Sequence, residues 1–320
     1  MVCKTPSSRL LLRLIIDVVI LIALCCVALI ALPKLLPTTH RGFFCSDTSI
    51  RFPYTASLLS RVHITIAVIA LPTAVMLIVE LLWAAVRATR KPTSGAPVVK
   101  HAKVQQFVFV GISIPNFVSE CYKIVGIYFF GLMLVLIATR TMKSYVGRLR
   151  PYLFDVCQPQ LLETLGGGLA CDYNAAHAQN VTGYIEDYEC HELAASTELL
   201  TMARQSFPSG FVATVAYAMC FVIFYLQARV SGGFLKALRI LLQFSCFILA
   251  ILVAIERYYT YSNHSSDILA GAVLGFLNAA FVTHSVADLF KGMPPKRRKM
   301  RDESTRIYGH YGVSRVARCY

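Results

Sequence analysis

The stretch LIIDVVILIALCCVALIAL, Leu14–Leu32, holds nineteen residues and a single charge, Asp17. The hydrocarbon core of a bilayer is about 30 Å thick and is crossed by roughly 20 apolar residues in a helix. This stretch therefore reads as a transmembrane span. Five further runs of the same kind follow it: Ile64–Val86, Ile124–Ala138, Gly210–Leu226, Leu238–Ile255 and Ile268–Ala287. The third is short and extends towards Val118, because Cys121 and Tyr122 are tolerated near an interface. The whole chain agrees: 56% of its 320 residues are hydrophobic, 15% are charged, and the mean hydropathy is +0.59. The expected fold class is all-α, a polytopic membrane protein with six transmembrane helices within residues 1–290, followed by a basic tail over residues 291–320. Such a composition excludes a disordered chain, and no internal period points to a repeat architecture.

Charge orients the spans. The formal charge is +14, which in a soluble protein would point to nucleic acid; in a membrane chain the same excess marks cytosolic loops, and no nucleic-acid partner is expected. Placing both termini on one side collects 21 of the 31 Lys and Arg there and leaves 10 on the other. Both termini are thus expected in the cytosol, with the first run an uncleaved span rather than a signal peptide. Cys45, Cys157, Cys171 and Cys190 then fall on the exoplasmic side, where two disulfides have three connectivities open to them. Asn180-Val-Thr182 is a glycosylation sequon on that same side. Asp17 and Glu80 are ionisable groups within spans, expected near cytosolic helix ends where a charge reaches water.

Three polar clusters share the exoplasmic face. The first is Lys143-Ser-Tyr-Val-Gly-Arg-Leu-Arg150-Pro151, the second Phe207-Pro-Ser209-Gly210-Phe211, and the third Glu256-Arg257-Tyr-Tyr-Thr-Tyr-Ser-Asn263-His264-Ser-Ser-Asp267. Each has a bland reading: basic groups at span ends snorkel, and Pro-Ser-Gly is an ordinary helix cap. Together they suit a phosphate. Lys143, Arg150 and Arg257 offer cationic donors, and an arginine binds two oxygens at once. Ser209 and Gly210 add a hydroxyl and backbone N–H at a helix N-terminus, whose dipole favours an anion. In a helical segment, Asp267 would face residue 263, the spacing that orients a catalytic imidazole.

These clusters resemble the signature motifs of the lipid phosphate phosphatases, the type 2 phosphatidic acid phosphatase family, which read K-x6-R-P, P-S-G-H and S-R-x5-H-x3-D. The resemblance covers the whole chain; Arg41-Gly-Phe-Phe-Cys45 and Tyr225-Leu-Gln-Ala-Arg229 resemble the insect wunen-type branch. It implies that the cationic and Ser-Gly groups cradle the phosphoryl oxygens, while the second-motif His protonates the leaving alcohol. The third-motif His attacks phosphorus, and the Asp orients it. Lys143, Arg150, Pro151, Pro208, Ser209, Gly210, Arg257 and Asp267 match. Phe211 occupies the acid position, Asn263 the nucleophile position and Glu256 the motif Ser position. Phenylalanine transfers no proton, and an amide nitrogen is delocalised and not nucleophilic.

The expected function is recognition of phosphatidate, lysophosphatidate or similar lipid phosphates at the exoplasmic face, with hydrolysis strongly reduced or lost. One alternative is an active phosphatidate phosphatase that uses His264, with Asp267 beside it and Glu256 as acid. The other is a membrane scaffold or partner of an active paralogue, as a homo- or hetero-oligomer with family members. Glu256 is otherwise expected to pair with Arg257. No metal or organic cofactor is expected, and the expected residence is the plasma membrane.

Overall fold

A computed structural model describes residues 7–37, 39–89, 107–109, 112–114, 116–161, 171, 183–191, 195–230, 235–287 and 289. The Asn180 sequon and the basic tail lie outside these residues. Six helices are long and apolar enough to cross a membrane: Leu14–Leu35, Val62–Val86, Phe117–Val146, Gly210–Arg229, Lys236–Tyr259 and Ser265–Val286. They are numbered here as spans one to six.

Every span runs past its apolar run at one end or both, and in spans one and three the extension bears on the fold. Pro33 cannot donate an N–H one turn back, and span one widens into a π-helical stretch at Val27–Ala31 before Leu32–Leu35 resumes as α-helix. Span three continues past Ala138 to Val146, so Lys143 lies in its last turn. Its polar side chains do not break the helix because they bond back into it: Thr139 Oγ1 donates to Val135 O at 2.8 Å and Thr141 Oγ1 to Ile137 O at 2.9 Å.

Span four is the centre of the bundle and packs against spans two, three, five and six. Tyr217, Phe221 and Tyr225 of span four are fully buried beside Tyr128 of span three and Met76 of span two. The buried phenols are satisfied across spans: Tyr217 donates to Tyr128 O at 2.8 Å and Tyr128 to Val68 O at 2.5 Å. Spans four and six approach most closely where span six carries Gly271 and Gly275. A Cβ on Gly271 would lie 2.5 Å from Ser209 O, and one on Gly275 would lie 2.3 Å from Ala213 O. Small residues four apart let two backbones meet, and this contact fixes Asp267 one turn above Gly271 against the start of span four.

At one end of the bundle, the loops between spans one and two and between spans three and four build a second core of Phe43, Ile50, Leu149, Tyr152, Leu153, Val156 and Tyr188. Antiparallel pairings tie them, Phe43 with Ile185 and Gln160 with Glu189. Of the three connectivities open to the four cysteines, the fold takes Cys45–Cys171 and Cys157–Cys190.

At the other end, Glu80 does not reach water. It is 1% exposed, accepts from Tyr225 Oη at 3.0 Å and pairs with Arg229 at 3.0 Å; Arg229 also bonds Glu120 at 2.9 Å. A buried carboxylate in a span needs such partners, and this network locks spans two, three and four together. Asp17 is exposed, with Tyr122 donating to it at 3.0 Å.

Candidate functional site

The first cluster begins where span three stops. Gly147 adopts φ +55, the left-handed conformation that ends a helix, and its N–H donates to Lys143 O at 3.1 Å. A Cβ there would meet Thr39 O at 2.5 Å. Beyond Gly147, side chains alternate in direction. Leu149 enters the loop core, while Arg148 and Arg150 both reach the third cluster. Arg148 Nη1 donates to Ser266 Oγ at 2.7 Å and to Asp267 Oδ1 at 2.6 Å.

Arg150 is 6% exposed. Its Nη1 donates to Ser262 O at 3.1 Å, its Nε has no hydrogen-bond partner, and among the described residues no carboxylate pairs with it. Neighbouring Tyr152 feels two guanidinium groups: burial pushes its hydroxyl pKa up, and Arg150 and, more weakly, Arg257 oppose this. Tyr152 thus stays a neutral phenol beside the cations.

Ser209 is the N-cap of span four, and its N–H donates to Asp267 O at 3.0 Å. The first N–H groups of a helix have no partner within it. Above them lies Lys143: a Cβ on Gly210 would be 3.9 Å from Lys143 Nζ, which also donates to Gln205 O at 3.1 Å. A cation over the positive end of a helix dipole, near a buried unpaired guanidinium, is unfavourable unless an anion joins them.

The third cluster corrects the expected geometry of Asp267. Span six begins at Ser265, with His264 as its N-cap in extended conformation, φ −72 and ψ 156. Residue 263 lies outside the helix. The Asp267 carboxylate folds back instead, as acidic groups at the third helical position do. It accepts from His264 N at 3.2 Å and lies 3.2 Å from His264 Nδ1. Its other partners are Arg148 and Ser206 Oγ, the latter at 2.5 Å. Asp267 therefore orients His264 and not Asn263.

Asn263 is 3% exposed and both ends of its amide are engaged. Oδ1 accepts from Ser209 Oγ at 3.1 Å, and Nδ2 donates to Ser206 O at 2.7 Å. Phe211 lies in the first turn of span four with the Arg257 guanidinium 4.5 Å above its ring centroid. Glu256 pairs with Arg257 as expected, Nε and Oε2 being 2.7 Å apart.

The structure thus brings together every residue singled out in the three motifs. Sequence reading missed Arg148, Ser206 and Ser57. Arg148 had a signal, since it stands two positions from Arg150 in a segment that leaves a helix and alternates. Ser206 and Ser57 had none, because their importance comes from partners 61 and 199 positions away. Among the described residues, no group of three or more His, Cys, Asp or Glu is placed to hold a metal. A separate groove of about 540 Å³ in the loop layer is lined by Glu186, Asp187 and Glu189 with His40 and Arg204; its carboxylates make it unsuited to a phosphate.

A six-span bundle that gathers Lys143, Arg148, Arg150 and Arg257 at the start of its central helix defines a membrane protein with an anion cradle at one end. Comparison with known proteins gives the family. The PAP2 superfamily model matches residues 124–291. A Drosophila melanogaster protein named "Putative phosphatidate phosphatase" is 36% identical over 286 residues, 89% of this chain and 71% of that protein. Phospholipid phosphatase 1 of Mus musculus is 31% identical, over 88% of this chain and 90% of its own; that of Rattus norvegicus is 29% identical over the same shares. No solved structure matches. The chain belongs to the PAP2 superfamily.

Proposed function

We propose that this chain binds the phosphate of phosphatidate- or lysophosphatidate-type lipids at the exoplasmic face of its membrane, with hydrolysis strongly reduced or lost. The observation that carries the reading is one site with both properties: Arg150 is buried without a carboxylate, and Asn263 stands at the nucleophile position. The first favours an anionic ligand, since a buried charge is costly until neutralised. The second removes the attacking group, and Phe211 removes the proton donor. Loss of a general acid alone costs about 10²- to 10⁴-fold in rate, and loss of a nucleophile on the order of 10⁶-fold.

The exoplasmic assignment draws support from the two disulfides at the site end, which form in oxidising compartments, and from the Lys/Arg bias that puts the termini in the cytosol. Residence at the plasma membrane and association with family members belong to the same reading. Arg257 does not itself argue for a ligand, because Glu256, Ser57 and Leu59 O satisfy it. The weight rests on Arg150 and on Lys143 over the helix start.

One observation favours a second reading, an active enzyme. His264 is only partly exposed and is aligned by Asp267 at 3.2 Å, the arrangement that prepares an imidazole. The test is phosphate release from phosphatidate and lysophosphatidate in detergent micelles, beside lipid binding. The proposal expects binding that falls about 10- to 100-fold in Arg150→Ala, and no release above a Lys143→Ala control. Release that disappears in His264→Ala would establish the enzyme instead.

A further inference from the structure

Glu256 and Arg257 are consecutive, yet they meet as a buried pair, with side chains 12% and 5% exposed. The contact is closed by the loop between spans one and two. Arg257 Nη2 donates to Ser57 Oγ at 2.6 Å and to Leu59 O at 2.7 Å, and Ser57 Oγ in turn donates to Glu256 Oε1. Thr55 Oγ1 donates to Thr260 O at 3.0 Å and holds the same loop in place. Below the guanidinium lies the Phe211 ring. Arg257 is therefore held on its edge by a carboxylate and a hydroxyl, and on its face by an aromatic ring.

The charges of the cradle follow from this. Lys143, Arg148, Arg150 and Arg257 face two carboxylates, Glu256 and Asp267. Arg148 is neutralised by Asp267 and Arg257 by Glu256, whereas among the described residues no carboxylate pairs with Arg150. Glu256 Oε2, for its part, meets Arg257 Nε at 2.7 Å. A buried pair of this kind adds little to stability compared with apolar packing. Its carboxylate is chemically a weaker version of the ligand that the guanidinium suits: both are planar or tetrahedral oxyanions that accept from the same fork.

We propose that Glu256 is a built-in counter-ion that occupies Arg257, weakening the site for lipid phosphate by competing for that guanidinium. The inference rests on the phosphate-binding reading above and concerns the strength of that same site. Ser57 is the positioning residue, since it holds both partners at once.

The experiment measures binding of phosphatidate, presented in nanodiscs of neutral phosphatidylcholine, to the full chain and to Glu256→Gln, Glu256→Ser and Ser57→Ala. Glu256→Gln keeps the shape and a hydrogen bond to Ser57, so it separates charge from packing; a melting curve for each variant accompanies the binding. The proposal expects Glu256→Gln and Glu256→Ser to bind about tenfold tighter, the weight of one charge-assisted hydrogen bond. It also expects that gain to vanish when Arg257→Ala is added. Equal or weaker binding by a folded Glu256→Gln overturns the counter-ion and leaves the phosphate site standing. Binding by neither the parent nor the Glu256 variants overturns both. Binding by the variants alone supports the counter-ion and removes the claim that the parent chain is a binder.

Discussion

Asn263 joins the second and third motifs through Ser209 and Ser206, so its amide has become a structural tie. Asn263→Ala should cost about 1–3 kcal/mol of stability, because it leaves buried polar groups unpaired; thermal unfolding in detergent reads this directly. On the proposed reading, hydrolysis needs more than the two imidazoles. The pair Phe211→His/Asn263→His should recover phosphate release only weakly, and adding Glu256→Ser should raise it further by freeing Arg257. A triple variant no faster than the pair would show that Arg257 is already available. At this scale the motif residues were legible, since fixed spacing in three separate clusters is a local property. The pairing of Asp267 was not. It depends on whether residue 263 or 265 begins the helix, and an acidic group three residues after an N-cap competes successfully for the backbone N–H of residue 264.

Among the elements, the contact between spans four and six matters most to the site. Gly271 backs directly onto Ser209, so even one methyl group there must push the start of span four away from Asp267. Gly271→Ala should destabilise the protein by about 1–3 kcal/mol through overpacking and also weaken lipid-phosphate binding. Comparison with Ala272→Gly, one position round the helix, distinguishes this from a general loss of helix stability. The existence of all six spans was legible from length and hydropathy. Their ends were not: span three continues for eight residues beyond Ala138, because its hydroxyls bond back to the helix and Lys143 finds Gln205 O as a partner. That extension is what carries Lys143 over the start of span four.

The whole molecule is fastened at both ends, by covalent links at one and ionic links at the other. Cys45–Cys171 closes a separation of 126 residues, and chain-entropy arguments give such a closure about 4–5 kcal/mol. Cys45→Ser/Cys171→Ser should therefore lower the melting temperature more than Cys157→Ser/Cys190→Ser, whose separation is 33. Reduction of the parent protein, which opens both bridges, should lower it further than either pair of substitutions. At the opposite end, Glu80→Ala should be destabilising by about 2 kcal/mol, since it deprives buried Tyr225 and half-buried Arg229 of a shared partner while Glu120 remains to Arg229, with Glu80→Gln milder. The four loop cysteines were legible as candidates for two disulfides, but the pairing follows from the strands Pro159–Leu161 and Tyr188–Cys190 meeting, which sets Cys157 beside Cys190 and leaves Cys45 to Cys171, a contact that no local pattern announces.

The central position of span four also constrains how this sequence can drift. Within the apolar window of span four 61% of residues are buried inside the protein, against 6% in span one and 11% in span five. Lipid accepts any apolar side chain, whereas a packed neighbour accepts few. A library of single substitutions should leave spans one and five tolerant of exchange among Leu, Ile, Val and Phe, while span four rejects it around its whole circumference. The same constraint reaches the first turn of span four, where any replacement of Phe211 has to fill the space its ring occupies beneath Arg257.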